Sequence, residues 1–189
     1  MATQQRRERE RAQRETLIVS AAREMAESDG WAAVTMRKLA ERIEYSQPVL
    51  YSHFAGRGAI VDAVALQGAG ELAEALRQAR TAAEEGAELK AVAQAYLDFA
   101  TANPALFEAL FTLAEGLAFG ADAPEELKTA FGELFAVFAP LAGERDPETL
   151  TETGWAAIHG LATLDRDGRL RPGKQAERLA ILVRQFTDQ

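Results

Sequence analysis

Between Thr35 and Phe54 the chain reads TMRKLAERIEYSQPVLYSHF, two short apolar stripes at helical spacing with almost nothing between them. Thr35 stands where a helix cap belongs, and Val34 before it can pack on Leu39 as a hydrophobic staple. Met36, Leu39, Ala40 and Ile43 then form one face. Ser46 is the matching cap of the second stripe, with Tyr45 and Leu50 in the staple positions. Pro48 falls in the first turn, where its missing N–H costs nothing. Leu50 and Phe54 point one way. Gln47, Pro48, Tyr51 and Ser52 point another, with Val49 and His53 at the flanks. Two capped helices joined only by Glu44–Ser46 have to cross at a steep angle, which makes a helix-turn-helix. In such a unit the start of the second helix enters the DNA major groove. The same unit can also serve as a protein–protein module.

The rest of the chain is also helical in pattern. Alanine, the best helix former, dominates, and no run of alternating β-branched residues is long enough for a strand. Ile18, Ala21, Ala22 and Met25 predict a first helix over about 10–28, ended by Gly30. Further helices are expected over about 57–83, with Gly68 and Gly70 as weak points, and over 87–102. Others follow Asn103-Pro104, cover 124–142, start at Asp146-Pro147, and span 173–187. The fold class expected is all-α, about nine helices. A three-helix DNA-binding domain at 1–56 would precede a larger ligand-binding and dimerisation domain at 57–189.

Charge divides the chain in a similar place. The net charge is −8, but residues 1–66 carry 10 Lys and Arg against 9 Asp and Glu. Residues 1–14 hold five arginines and two glutamates. A small module facing a polyanion, attached to an acidic body, accounts for that asymmetry. The run RRERERAQR is either an arm that reaches the minor groove or backbone of DNA or a solvated, frayed helix start. With no cysteine and two distant histidines, His53 and His159, neither a metal site nor a cofactor is expected. No apolar run approaches a membrane span, and the first residues lack the apolar core of a secretory signal, so a cytoplasmic protein without membrane attachment is expected.

Taken together, Gly30, Thr35, Leu39, Ala40, Ser46, Leu50, Tyr51, Phe54 and Arg57 resemble the DNA-binding domain of TetR-family transcriptional regulators. The match covers about residues 14–64. The resemblance implies that Thr35 hydrogen-bonds a phosphate, that Arg37 reaches a guanine edge, and that Gln47 and Pro48 read bases. A glutamine amide suits adenine, and a proline ring can touch a thymine methyl. It further implies phosphate contacts from Tyr51, His53 and Arg57, with Val49 and Ser52 on the presented face. Two positions depart from the family pattern. Glu44 stands where the turn usually has glycine, and Gly58 replaces an acidic residue at the next helix start. A left-handed turn residue other than glycine is strained by about 1–2 kcal/mol.

Further along, Trp155, His159 and Gly160 resemble a TetR subfamily named for a Trp-His-Gly motif, as does AYLDFATANPALFEALFTL over 95–113. Six of nine phenylalanines lie between Phe107 and Phe138. Tyr96, Phe99, Phe107, Phe111, Phe131, Phe135, Trp155 and His159 are either the lining of an effector pocket for a small apolar or amphipathic molecule or an ordinary core. Ile158 and Leu161, with Leu179, Leu182, Val183 and Phe186 on the last helix, either pair with a second copy or dock on the chain's own core. The combined expectation is a homodimeric regulator of a palindromic operator on double-stranded DNA, a repressor released by its effector. The alternatives are a helical interaction adaptor that has lost DNA binding and, with no Glu-x-x-His pair, phosphate loop or nucleophile elbow to support it, a helical enzyme.

Overall fold

The first helix of the computed structural model, which describes residues 2–188, is longer than its apolar stripe. Helix α1 runs Ala2–Asp29, where the stripe alone indicates a start near Glu10. The additional turns need no core. Their residues are good helix formers, and Gln4 with Glu8 and Arg6 with Glu10 are paired four apart. Gly30, at φ 78°, ends the helix, and a short 3-10 turn, Trp31–Ala33, leads to α2.

Helix α2 spans Met36–Arg42 and α3 spans Gln47–His53. Thr35 caps α2 as expected, its hydroxyl accepting from the Lys38 amide at 3.2 Å. Ser46 occupies the cap position of α3 but makes no side-chain cap bond. Between them Glu44 adopts φ 56°, the only left-handed non-glycine among the described residues. The Tyr45 N–H reaches the Ala40 carbonyl at 2.9 Å and the Glu44 N–H reaches Glu41 at 3.3 Å. This double bond pattern is a Schellman cap. The turn expected of a glycine is therefore formed with a carboxylate in it. Glu44→Gly is expected to raise stability by about 0.5–1 kcal/mol, relief of strain outweighing the extra freedom of glycine when unfolded. An unchanged or lower urea midpoint would contradict this.

Helix α4 runs unbroken over Arg57–Ala82. It is followed by α5 (Glu88–Ala102), α6 (Pro104–Glu108) and a π-helical turn, Ala109–Leu113. Then come α7 (Glu125–Phe138), α8 (Pro147–Arg166) and α9 (Gln175–Thr187). Nine α-helices and no strand are present among the described residues.

The residues gather into two compact units, one reaching to Gly68 and taking in Asn103–Ala118, the other made of Ala69–Ala102 and residues from Phe119 onward. In the first unit α1 packs on α2, α3 and α6 around Ile18, Leu39, Leu50, Ile60 and Leu106. Polar groups on α1 fasten α6. The Glu27 carboxylate accepts from the Ala105 and Leu106 amides, each at 3.2 Å. Arg23 donates to the Asn103 side chain at 3.1 Å, and the Trp31 indole donates to the Ala105 carbonyl at 2.7 Å. Gly68 has a packing role in α4. A Cβ there would lie 2.8 Å from Leu106 Cγ, so the glycine lets α4 and α6 approach.

In the second unit α8 packs on α5, α7 and α9. Gly154 lies under the Phe138 ring, and a Cβ there would come within 2.2 Å of two ring carbons. Arg80, near the end of α4, meets Glu133 on α7 at 2.8 Å.

Candidate nucleic-acid interface

The buried leucines of α2 and α3 decide which side chains face outward. Leu39 and Leu50 are fully buried, which turns Thr35, Arg37, Gln47, Pro48, Tyr51 and Ser52 to the exterior. Thr35 accepts the capping bond and keeps its own proton for an outside acceptor. Arg37 pairs with Glu41 at 3.0 Å, with both side chains more than half exposed. Such a pair is worth little and is readily exchanged for a stronger partner. Tyr51 is 53% exposed, although it is a large aromatic. Ser52 turns back to the Val49 carbonyl at 2.6 Å, and Val49 is half-buried.

Two residues expected at phosphates are engaged inside the chain. His53 Nδ1 lies 3.2 Å from Glu15 on α1, and its side chain is only 6% exposed. The flank of α3 that carries His53 is covered by α1. Arg57 donates from Nε to the Val34 carbonyl and from Nη2 to that of Trp31, both at 3.0 Å, with its guanidinium 6.0 Å from the Trp31 ring centre. It clasps the loop before α2 while the residue itself stays exposed. Lys38, which the motif did not single out, is exposed and has no ion pair among the described residues. Its place one residue beyond Arg37 was the only signal for it.

The aromatic residues of the expected pocket divide. Phe107 and Phe111 meet with tilted rings, centroids 4.6 Å apart, in the first unit. In the second, Phe131 meets Trp155 edge-on at 6.4 Å, and Trp155 and Tyr96 each lie 6.3 Å from His159. Phe99 is buried, Phe135 half-buried. The Trp155 indole donates to the Tyr96 hydroxyl at 3.1 Å, leaving that hydroxyl's proton for His159 Nδ1 at 2.9 Å. His159 Nε2 is 3.4 Å from the Thr163 hydroxyl. These rings are packed against one another. A crevice elsewhere in the unit, lined by Leu97, Thr101, Leu161, Asp165 and Arg178 among others, offers about 20 Å³. That is room for a water and no more.

The geometry agrees with two family matches. Residues 18–64 match the profile described as bacterial regulatory proteins, tetR family, and residues 89–186 match the one described as tetracyclin repressor-like, C-terminal domain. The chain belongs to the tetR family. An uncharacterized HTH-type transcriptional regulator of Bacillus subtilis, YobS, is 32% identical over 93 residues, 49% of each chain. The match thus spans about half the length of that curated relative. Among solved structures, a protein of unknown function from Rhodococcus sp. RHA1 superposes with a TM-score of 0.73 at 24% identity, covering 92% of this chain and 93% of its own. A TetR family regulator from Marinobacter aquaeolei VT8 gives 0.65 at 18% identity, covering 96% and 97%. At these identities the structures speak for the fold. Assignment to the Trp-His-Gly subfamily rests on the sequence motif alone.

In this tetR-family chain the residues expected at a dimer face are largely spent on its own core. Ile158 is fully buried, Leu179 and Leu182 nearly so, and Phe186 packs edge-on against Phe138 at 5.1 Å. Leu161 and Val183 are half-buried. The large apolar side chains left exposed on α8 and α9 are Leu164 and Ile181, the latter 52% exposed. Helical periodicity showed that both helices have apolar faces but could not tell which one meets the core.

Burial pushes the Tyr96 phenol well above its ordinary value, the Trp155 hydrogen bond working against it. Burial, with Arg166 adding to it, holds the His159 imidazole below its ordinary value. The unfolded chain therefore takes up that proton first as pH falls below about 6.5. Stability from this group is whole above that pH and is lost as pH falls through the folded value. Urea midpoints should decline between about pH 7.5 and pH 5.5, and His159→Gln should flatten that decline. Equal slopes in the two proteins would assign the decline to other groups.

Proposed function

We propose that this chain is a sequence-specific DNA-binding transcriptional regulator, a repressor released by a small-molecule effector, with no catalytic step. The observation that carries it is the exposed face of the capped helix-turn-helix, where Thr35, Arg37, Gln47, Pro48 and Tyr51 stand clear of the core. Residues 1–56 are assigned to DNA binding and 57–189 to the effector and to pairing. One short recognition helix contacts too few bases for high specificity, so a homodimer reads a palindrome with half-sites about 34–36 Å apart. Leu164 and Ile181 are the large apolar groups available for that pairing. Gln47 and Pro48 read bases, Thr35, Tyr51 and Lys38 hold phosphates, and Arg37 leaves Glu41 for a guanine edge. The aromatic group around Tyr96, Trp155 and His159 takes the effector by opening from its packed state. Phe107 and Phe111 are left out of that assignment. The site of action is the bacterial cytoplasm.

The test is selection of duplexes from a random-sequence pool at stated salt, with Arg37→Ala beside the wild type. An enriched palindrome is expected, with affinity reduced in the variant by about 1–3 kcal/mol, roughly 5- to 150-fold. Unchanged affinity in the variant would remove Arg37 from base reading. No enrichment by folded, ligand-free protein would favour the interaction adaptor.

A further inference from the structure

The matched DNA-binding region begins at residue 18, yet α1 is helical from Ala2. Residues 4–14 are all exposed. Their hydrogen bonds and ion pairs stay within α1: Gln4 with Glu8, Arg6 with Glu10, Arg9 with the Gln5 carbonyl, and Arg11 with Glu15. At 1.5 Å per residue, residues 2–14 extend α1 by about 20 Å beyond Glu15. The packing of the first unit makes no use of that length.

The extension has a charged side with a definite direction. Arg7, Arg11 and Arg14 are four and three residues apart. The same steps continue to Ile18, Ala22 and Met25, which are buried in the first unit, where α1 packs on the 3-10 turn, α6, α2 and α3. On one straight helix these six share a face. The arginine row therefore continues the packed side of α1, and Arg11 is linked through Glu15 to the end of α3. Glu15 ties the two together. Its Oε1 takes Arg11 Nε at 2.8 Å and lies 3.2 Å from Nδ1 of His53, the last residue of α3. Arg11 first, then His53, hold the Glu15 carboxyl below its ordinary range, so it stays charged. Arg7 and Arg14, on either side of Arg11, have no ion pair among the described residues.

We propose that Arg7, Arg11 and Arg14 form a second DNA-contact surface, a rigid basic strut laid on the phosphates that flank each half-site. The proposal rests on the reading of α3 as the recognition helix and adds a contact outside the matched domain. Charge complementarity selects the occupant. Residues 1–14 hold five arginines and two glutamates in a chain of net charge −8, and Glu15 joins the row to the last residue of α3. Phosphates are the target because exposed guanidiniums on a helix side meet the backbone before any base edge, and such contacts position a protein without reading sequence.

The duplex enriched by the wild type is titrated at several salt concentrations against Arg7→Ala/Arg14→Ala, with helicity checked by circular dichroism. Two lost phosphate contacts should lower the slope of log affinity against log salt by about 1.8 per protomer. The enriched core sequence should be unchanged, and the hydroxyl-radical footprint should shorten at its outer edges. Arg7→Lys/Arg14→Lys, which keeps the charge, should restore the slope. Equal affinity, slope and footprint in the alanine variant would overturn the proposal. So would loss of binding to vesicles of phosphatidylglycerol with duplex binding intact, which would make a membrane the partner. If the wild type enriches no sequence, the reading of α3 fails on its own. The strut is then tested on a fixed duplex at low salt, where loss in the alanine variant supports it and equal binding overturns it.

Discussion

Trp31→Ala should destabilise the first unit by about 3–5 kcal/mol, the range for deleting a large buried aromatic. Trp31 is only 4% exposed. Three further contacts disappear or loosen with it. The Ala105 carbonyl loses its indole donor, and a buried carbonyl without a partner is costly. Arg57 loses the ring beneath its guanidinium and keeps only the backbone carbonyls. The 3-10 turn between α1 and α2 loses its one buried side chain. Trp31→Phe separates these effects, since it keeps most of the packing and removes the hydrogen bond, at a cost of about 1 kcal/mol plus the lost volume. Urea denaturation followed by circular dichroism ranks the three proteins, and hydrogen exchange in α1–α3 locates the loss. A drop below about 1 kcal/mol for Trp31→Ala would mean that the ring is not a keystone of this unit.

The second large effect is expected at Gly154. Its Cα faces the Phe138 ring so closely that an added methyl would sit 2.2 Å from Cε1 and Cζ. The ring cannot easily yield, because Phe138 is fully buried and Phe186 closes on it at 5.1 Å. Overpacking of this kind costs about 1–3 kcal/mol and sometimes more, and this contact belongs at the upper end. Gly154→Ala should lower the urea midpoint sharply, and adding Phe138→Leu should recover part of the loss. If the double variant is no better than the sum of the two single changes, the clash is not the cause. Gly160, beside His159 in the motif, has nothing within 4 Å of its would-be Cβ and should tolerate alanine.

These two sites mark the edge of what the sequence could say. Local features were legible: the Thr35 cap, the buried Leu39 and Leu50, and the left-handed Glu44 all depend on residues within a few positions. The partners of Trp31, Gly154, His53 and Arg57 lie 16 to 74 residues away, and no spacing rule reaches them. His53 and Arg57 carry the polar groups that a phosphate contact needs, and each also has an acceptor inside the fold that its spacing did not reveal. The aromatic residues from Tyr96 to His159 share composition with a pocket and with a core, and packing alone separates those readings. The early start of α1 was hidden for a different reason. Its residues 4–14 are held by propensity and by pairs four apart, neither of which leaves an apolar stripe.

The clasp on α6 also sets an order of assembly. Trp31 and Glu27 bind backbone groups of Ala105 and Leu106, more than seventy residues downstream. A ribosome that has released only α1 to α4 has made every side chain of the proposed DNA-reading face but not the segment that satisfies its neighbours. The buried wall that includes Leu106 is still missing at that stage. Because domains fold as units, the nascent helix-turn-helix should gain its full stability only after α6 emerges. A fragment cut at the end of α3 would start life with the same gap.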